Sequence, residues 1–191
     1  MGQTARLELK RDLFHCLGLV IPIGYLLLPK GVVLWGIALA MVFYVGSDLL
    51  RLFHKGFRVF FYRLVGELIK PREERNLIGS SYFLIGTLVS VLLFEKEAVI
   101  PALFVASVSD ILASVVGSRW GKRRFRGSRS LEGSLAFFGS ALFLLLVLYH
   151  GPWYWSIAVA AATSLVEAFS FKVDDNLSIP LFTAFMLQLG L

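Results

Sequence analysis

Cysteine is nearly absent: Cys16 is the only one, so neither a disulfide framework nor a cysteine metal cluster can be built. Histidine is scarce, and His15, His54 and His150 are too scattered to make an obvious metal site. The nucleotide-binding signatures of water-soluble enzymes are missing too. The run from Gly117 to Arg123 follows a P-loop only superficially, since three residues rather than four separate Gly117 from Gly121-Lys122, and Arg123 stands where Ser or Thr should hold Mg²⁺. There is no kinase glycine loop and no zinc-binding helix.

Apolar sequence is plentiful. The chain is 57% hydrophobic, with a mean hydropathy of +0.75, against roughly 45–50% apolar content in soluble domains, and the apolar residues come in long blocks. A spanning helix needs about 20 apolar residues to cross a hydrocarbon core about 30 Å thick. Segments that meet or approach this length run from Leu13 to Pro29, Gly31 to Leu50, Leu77 to Phe94, Ala98 to Ser118, Leu131 to Tyr149, Trp153 to Phe171 and Leu177 to Leu191, the last one short. The expected fold is all-α: a polytopic membrane helix bundle of about seven transmembrane helices, forming one integral membrane domain over residues 1–191. The first segment has no small-residue cleavage site and is expected to stay in the mature protein.

Basic residues set the expected orientation, because positively charged loops stay in the cytoplasm. With the N-terminus inside, 17 of the 19 Lys and Arg residues fall at the cytoplasmic ends, leaving Lys30 and Lys96 outside. Tyr149, Trp153, Tyr154 and Trp155 then belong to an outer aromatic belt. The long connection over about 51–70 reads as an amphipathic helix lying in the cytoplasmic interface. Phe53, Phe57, Phe60, Phe61, Leu64 and Leu68 take one face, and Arg51, Lys55 and Arg58 the other. A second basic cytoplasmic loop spans 119–130.

Carboxylates inside spans are informative, since each costs several kcal/mol unless paired or functional. Asp110 lies about two turns from the cytoplasmic end of its span, where Ser107, Asp110, Ser114 and Gly117 make one small polar face at helical spacing. Glu132 opens the fifth span, with Ser130 as its N-cap. Glu167 lies about one turn from the inner end of the sixth, Asp174 and Asp175 follow, and Asp48 ends the second on the same side. Taken singly, these acids read as interhelical hydrogen-bonding groups, helix-end charges and turn residues. Gathered beside a basic loop, they suit a polyphosphate held with metal. Carboxylates bind Mg²⁺, Lys and Arg neutralise phosphate oxygens, and a helix N-terminus offers backbone N–H groups to an anion. Lipid enters from the bilayer, so the expected chemistry joins a soluble phosphate donor to a membrane alcohol or lipid phosphate. A small transporter remains an alternative, although no charged relay crosses the outer half of the bundle. The spread of basic residues gives no reason to expect nucleic acid.

The ordered set of motifs resembles the polyprenol kinase family, which includes dolichol kinase, phytol kinase and the CTP-dependent diacylglycerol kinases. Its core is Asp110-x-x-Ala113-x-x-x-Gly117-x-x-x-Gly121-Lys122, then Ser130-x-Glu132-Gly133-Ser134, then Glu167 and Asp174-Asp175-Asn176 with Ile179-Pro180. Upstream, Glu8-x-Lys10-Arg11-x-x-x-His15 and Arg72-Glu73-Glu74 ahead of Gly79-Ser80-Ser81 are also family-like. The resemblance implies a CTP-dependent lipid kinase of the cell membrane with Mg²⁺ as cofactor. Its partners are CTP, a membrane lipid alcohol and the bilayer, and a homodimer is compatible with it. Asp110, Glu132 and Glu167 are the implied catalytic residues, and Asp110, Glu132, Asp174 and Asp175 the implied metal ligands. Gly117, Gly121, Lys122, Arg123, Arg129, Ser130, Gly133, Ser134 and Asn176 are expected at the nucleotide. Lys10, Arg11, His15, Asp48, Arg72 and Glu74 complete the family-like set. Arg129 stands where the family usually has Lys; it keeps the charge and can grip phosphate as a fork. The rival family, CDP-diacylglycerol synthase, shares the Asp, Gly, Lys and Glu-Gly arrangement but carries a later His-Gly-Gly and Asp-Arg-x-x-Asp signature that has no counterpart here.

Overall fold

Each apolar block folds as a helix, and Pro, Gly and charged residues separate the blocks, as expected where backbone groups must be satisfied within their own segment. The structure, a computed structural model, describes residues 16–69, 73–126, 129–169 and 173–191. Lys10, Arg11, His15 and Arg72 lie outside the described residues. Eight helices are present among the described residues. They are α1 (Leu17–Leu27), α2 (Lys30–Phe53), α3 (Lys55–Val65), α4 (Gly79–Leu93), α5 (Lys96–Trp120), α6 (Leu131–Leu148), α7 (Trp153–Phe169) and α8 (Asp175–Gln188). Each expected spanning segment therefore contains a helix among its described residues. By length and composition α2, α5 and α6 can cross a membrane, and α1 and α4 are shorter apolar helices.

The shortest expected segment turns out to sit at the centre. Helix α8 packs against α4, α7 and the part of α5 up to Ser109, and buries Ile179, Pro180, Thr183, Ala184 and Leu187. Around it, Val91, Ala98, Val99, Leu103, Phe137, Leu145 and Ala160 close the core. Large apolar side chains such as Leu27, Trp35, Phe43 and Phe143 remain on the outside. An exterior of that composition matches hydrocarbon, and the chain is a membrane protein.

Two local features depart from the helical reading of the sequence. The amphipathic helix does not begin at residue 51. His54 adopts extended backbone and its Nδ1 accepts a hydrogen bond from Phe57 N at 3.1 Å, so α2 ends and α3 starts around it. Arg51 consequently belongs to the last turn of α2 and is 1% exposed instead of lying on the polar face of the surface helix. Within α5, Pro101 precedes a π-helical turn at Val105–Ser109, immediately before Asp110. The extra residue in that turn breaks the regular spacing assumed for Ser107, Asp110, Ser114 and Gly117. Ser107 and Gly117 of that set are buried, with Ser109 and Ala113 beside them, and Asp110 and Ser114 are half-buried. The basic loop also contains a small antiparallel ribbon, β1 (Arg124–Arg126) against β2 (Arg129–Ser130), the only strands among the described residues.

Candidate functional site

The site lies at the basic end, where α5 leaves the bundle, the ribbon turns back, and α6 starts. Ser130 caps α6: its Oγ accepts Gly133 N at 3.1 Å. Leu131 N donates to Arg123 O at 3.0 Å. Two of the α6 N–H groups expected to receive an anion are thus already satisfied, because cap and ribbon reach them first. Gly117, Gly121 and Gly133 let α5 approach this cap. A Cβ on Gly121 would run into both the Gly117 carbonyl and Ser130 Oγ, and one on Gly133 would meet the Ala113 carbonyl at 3.0 Å. Their first role here is close packing of α5 on α6, with Ser130 filling the space between.

Arg129 is the hub. Its guanidinium forms an ion pair with Asp175 Oδ2 at 2.8 Å and another with Glu167 Oε1 at 3.4 Å, and donates to the Ala168 carbonyl at 3.2 Å. Three elements meet on this one cation: β2, the end of α7 and the start of α8. Glu167 Oε2 in turn accepts Ser134 Oγ at 3.2 Å, and Ser164 Oγ donates to the Ser134 carbonyl at 3.1 Å. The charge of Asp110 also bears on Glu167, which places both acids in one neighbourhood. At the start of α8, Asp174 Oδ1 accepts both Asn176 N at 3.1 Å and Asn176 Nδ2 at 2.7 Å.

Other expected site residues stand apart from this hub. Glu132 faces outward, and its carboxylate accepts Arg123 N at 3.3–3.4 Å. Lys122 and Arg123 are exposed. Glu74 is exposed and contributes its carbonyl to Arg51, whereas the neighbouring Glu73 is the buried carboxylate. Asp48 is buried with Arg51, on α2. A groove of about 370 Å³ between α2 and α4, lined by Gly31, Leu34, Trp35, Ala38, Leu88 and Leu92, lies away from the basic end and contains no ionisable group.

Among the described residues no group of three or more His, Cys, Asp or Glu forms a ready metal cage. Magnesium does not require one, because it is usually held by one or two carboxylates together with substrate phosphates. The acids on α7 and α8 already accommodate a cation, the guanidinium of Arg129, so their oxygen donors fit the group. Glu132, turned to the Arg123 amide, is the member of the expected ligand set that does not join them.

No protein-family model matches the chain, and no solved structure matches it. Among known proteins, an uncharacterized protein of Rickettsia prowazekii is 31% identical over 191 residues, covering 91% of this chain and 90% of that protein. CTP-dependent diacylglycerol kinase 1 of Saccharomyces cerevisiae is 26% identical over 217 residues, covering 95% of this chain and 72% of that protein. Probable phytol kinase 1, chloroplastic, of Oryza sativa subsp. japonica is 33% identical over 131 residues, which is 59% of this chain and 42% of that protein. The class defined by these relatives is that of phosphotransferases acting on alcohol groups. The chain belongs to the polyprenol kinase family of lipid kinases.

Proposed function

We propose that the chain transfers the γ-phosphoryl group of CTP to the hydroxyl of a membrane alcohol, either diacylglycerol or an isoprenoid alcohol, at the cytoplasmic end of the bundle. The observation that carries this reading is the Arg129 hub, in which one forked cation joins carboxylates from α7 and α8 beside the capped start of α6. The names of the yeast and rice relatives supply the donor and the acceptor class.

Phosphoryl transfer asks the protein mainly for positioning and charge neutralisation. Exposed Lys122 and Arg123 meet the triphosphate first. Arg129 then exchanges carboxylate for phosphate oxygens, a change its planar fork suits. That exchange frees Glu167, held at Ser134, to orient the acceptor hydroxyl and take its proton while the bond from the γ-phosphorus to the acceptor oxygen forms, the β–γ bridge breaks, and CDP leaves. Mg²⁺ bound with the nucleotide would be held by the phosphates together with one or two of Asp110, Asp174 and Asp175, and would supply further neutralisation of phosphate charge.

In this arrangement α1, α2 and α4 to α8 span the membrane, with the N-terminus inside and α3 on the cytoplasmic surface. Helix α4, with 15 residues, rises only about 23 Å, and α1, Leu17–Leu27, is shorter still, against about 30 Å of hydrocarbon, so the bilayer thins locally around them, while α8 is shielded from lipid by its neighbours. Purified protein in lipid, given CTP labelled at either the α or the γ position and a panel of diacylglycerol, polyprenol and phytol, tests the reading. Label from the γ position in the lipid is expected. Label from the α position would make the protein a cytidylyltransferase.

A further inference from the structure

A second buried network closes the same end of the bundle from the side of α2. Arg51 and Asp48 are each 1% exposed. Arg51 Nε donates to Asp48 Oδ1 at 2.6 Å, and its terminal nitrogens donate to the carbonyls of Glu73 at 2.9 Å, Asn76 at 2.7 Å and Glu74 at 3.4 Å. Asp48 Oδ2 accepts Ile78 N at 2.7 Å and Ser81 Oγ at 2.9 Å. The connection into α4 is therefore gripped at both ends by one buried ion pair. Replacing such a pair with apolar residues is often neutral or stabilising, so its presence is weak evidence for stability and better evidence for fixing a register.

What is fixed lies against the hub. Glu73, 4% exposed, accepts Gly79 N on Oε1 at 3.2 Å. At Gly79 the space of a Cβ is taken by the side chain of Asn176, whose Nδ2 would be 2.7 Å away. The same Nδ2 donates to Asp174 Oδ1 at 2.7 Å, and the adjacent Asp175 holds Arg129. Polar contacts thus run from Asp48 through Arg51 and Glu73 to Gly79, whose bare Cα packs against the Asn176 side chain, and they resume from Asn176 through Asp175 to Arg129.

We propose that Asp48, Arg51 and Glu73 form a positioning assembly that seats the Asp174–Asn176 turn against Gly79 and thereby places the carboxylates of the phosphotransfer site. The inference rests on the phosphotransfer reading above. None of the three residues touches the reacting atoms. They act through Asn176.

Gly79→Ala is the selective perturbation, because the atom it displaces is the far end of a side chain, which can swing away without disturbing the helices. The variant is expected to keep its unfolding midpoint while kcat/KM for CTP falls roughly tenfold to hundredfold, the usual consequence of sub-ångström misplacement at a reacting centre. In an Asn176→Ala background the same substitution is expected to have no further effect on kcat/KM. Arg51→Lys retains the charge but cannot reach the four acceptors, and its loss in kcat/KM is expected to be less than additive with that of Gly79→Ala. Equal effects of Gly79→Ala with and without Asn176, or wild-type KM and kcat in both Gly79→Ala and Arg51→Lys, would overturn the proposal. Wild-type protein that transferred no phosphate would strike the phosphotransfer reading instead. The assembly would then be judged by unfolding alone: coupling between Arg51→Lys and Asn176→Ala supports it, and additivity overturns it.

Discussion

Arg129→Met removes the hub's charge while keeping most of its volume, and its cost can be worked from the contacts. Arg129 is 19% exposed, Glu167 9% and Asp175 17% in their side chains. Without the guanidinium, the Glu167 and Asp175 carboxylates lose the cation that they share. Breaking a buried pair costs about 3–5 kcal/mol, and the residual exposure here argues for the lower end or just below, about 2–3 kcal/mol. At about 1.4 kcal/mol per factor of ten, the ratio of folded to unfolded protein falls roughly 30- to 140-fold. Glu167→Gln alone leaves Arg129 bound to Asp175 and to the Ala168 carbonyl and should cost about 1 kcal/mol. In the double variant the unpaired Glu167 charge is gone, so the combined cost should fall short of the sum by about 1 kcal/mol or more. Reversible unfolding of the four proteins in detergent, followed by tryptophan fluorescence, measures this coupling. Additivity within about 0.5 kcal/mol would refute the claim that these side chains form one unit.

Ser130→Ala deletes the cap on Gly133 and should lower stability by about 1 kcal/mol, read from the same unfolding curves. Gly121→Ala drives a methyl group into the Gly117 carbonyl as well as Ser130 Oγ and should destabilise by about 3 kcal/mol or more, with Ser130→Gly relieving only the smaller part because the carbonyl clash stays. Neutralising Lys122 and Arg123 together should leave the unfolding midpoint unchanged, since both are exposed, while raising KM for CTP and weakening its dependence on salt in steady-state assays. Arg129→Lys, which brings the position to the usual family residue, should retain most activity but lose part of the stability, because an ammonium cannot satisfy Asp175, Glu167 and the Ala168 carbonyl as a fork does.

The helices and the gathering of acids at one end were legible because long apolar runs and the placement of Lys and Arg obey simple physical rules. The break at His54 was not. The apolar spacing of Phe53, Phe57, Phe60 and Phe61 continues smoothly through it, and the interruption depends on a side-chain cap that hydrophobic periodicity does not register. Arg51 looked like a surface charge because its acceptors are mostly backbone carbonyls of residues 73–76, groups every residue possesses and no sequence advertises. Glu73 is part of the Arg72-Glu73-Glu74 motif, but Glu74 is the acid expected from it, because only the fold brings the Glu73 carboxylate to Gly79. The π turn in α5 is hidden because the helix there is apolar or small on every side, so a shift of one residue leaves no trace in the pattern. Ser130 was recognised as a cap, and the consequence for anion binding followed only once the ribbon was seen to take the neighbouring N–H.

The central claim is that the charged groups gathered at the basic end carry phosphoryl transfer. Its most direct measurement is the initial rate of γ-label appearing in lipid from CTP, in proteoliposomes holding equal amounts of folded wild-type, Asp110→Asn and Glu167→Gln protein. Robust labelling by the wild type and a loss of at least about a hundredfold in both variants is the predicted result. Wild-type rates in either variant would contradict the account.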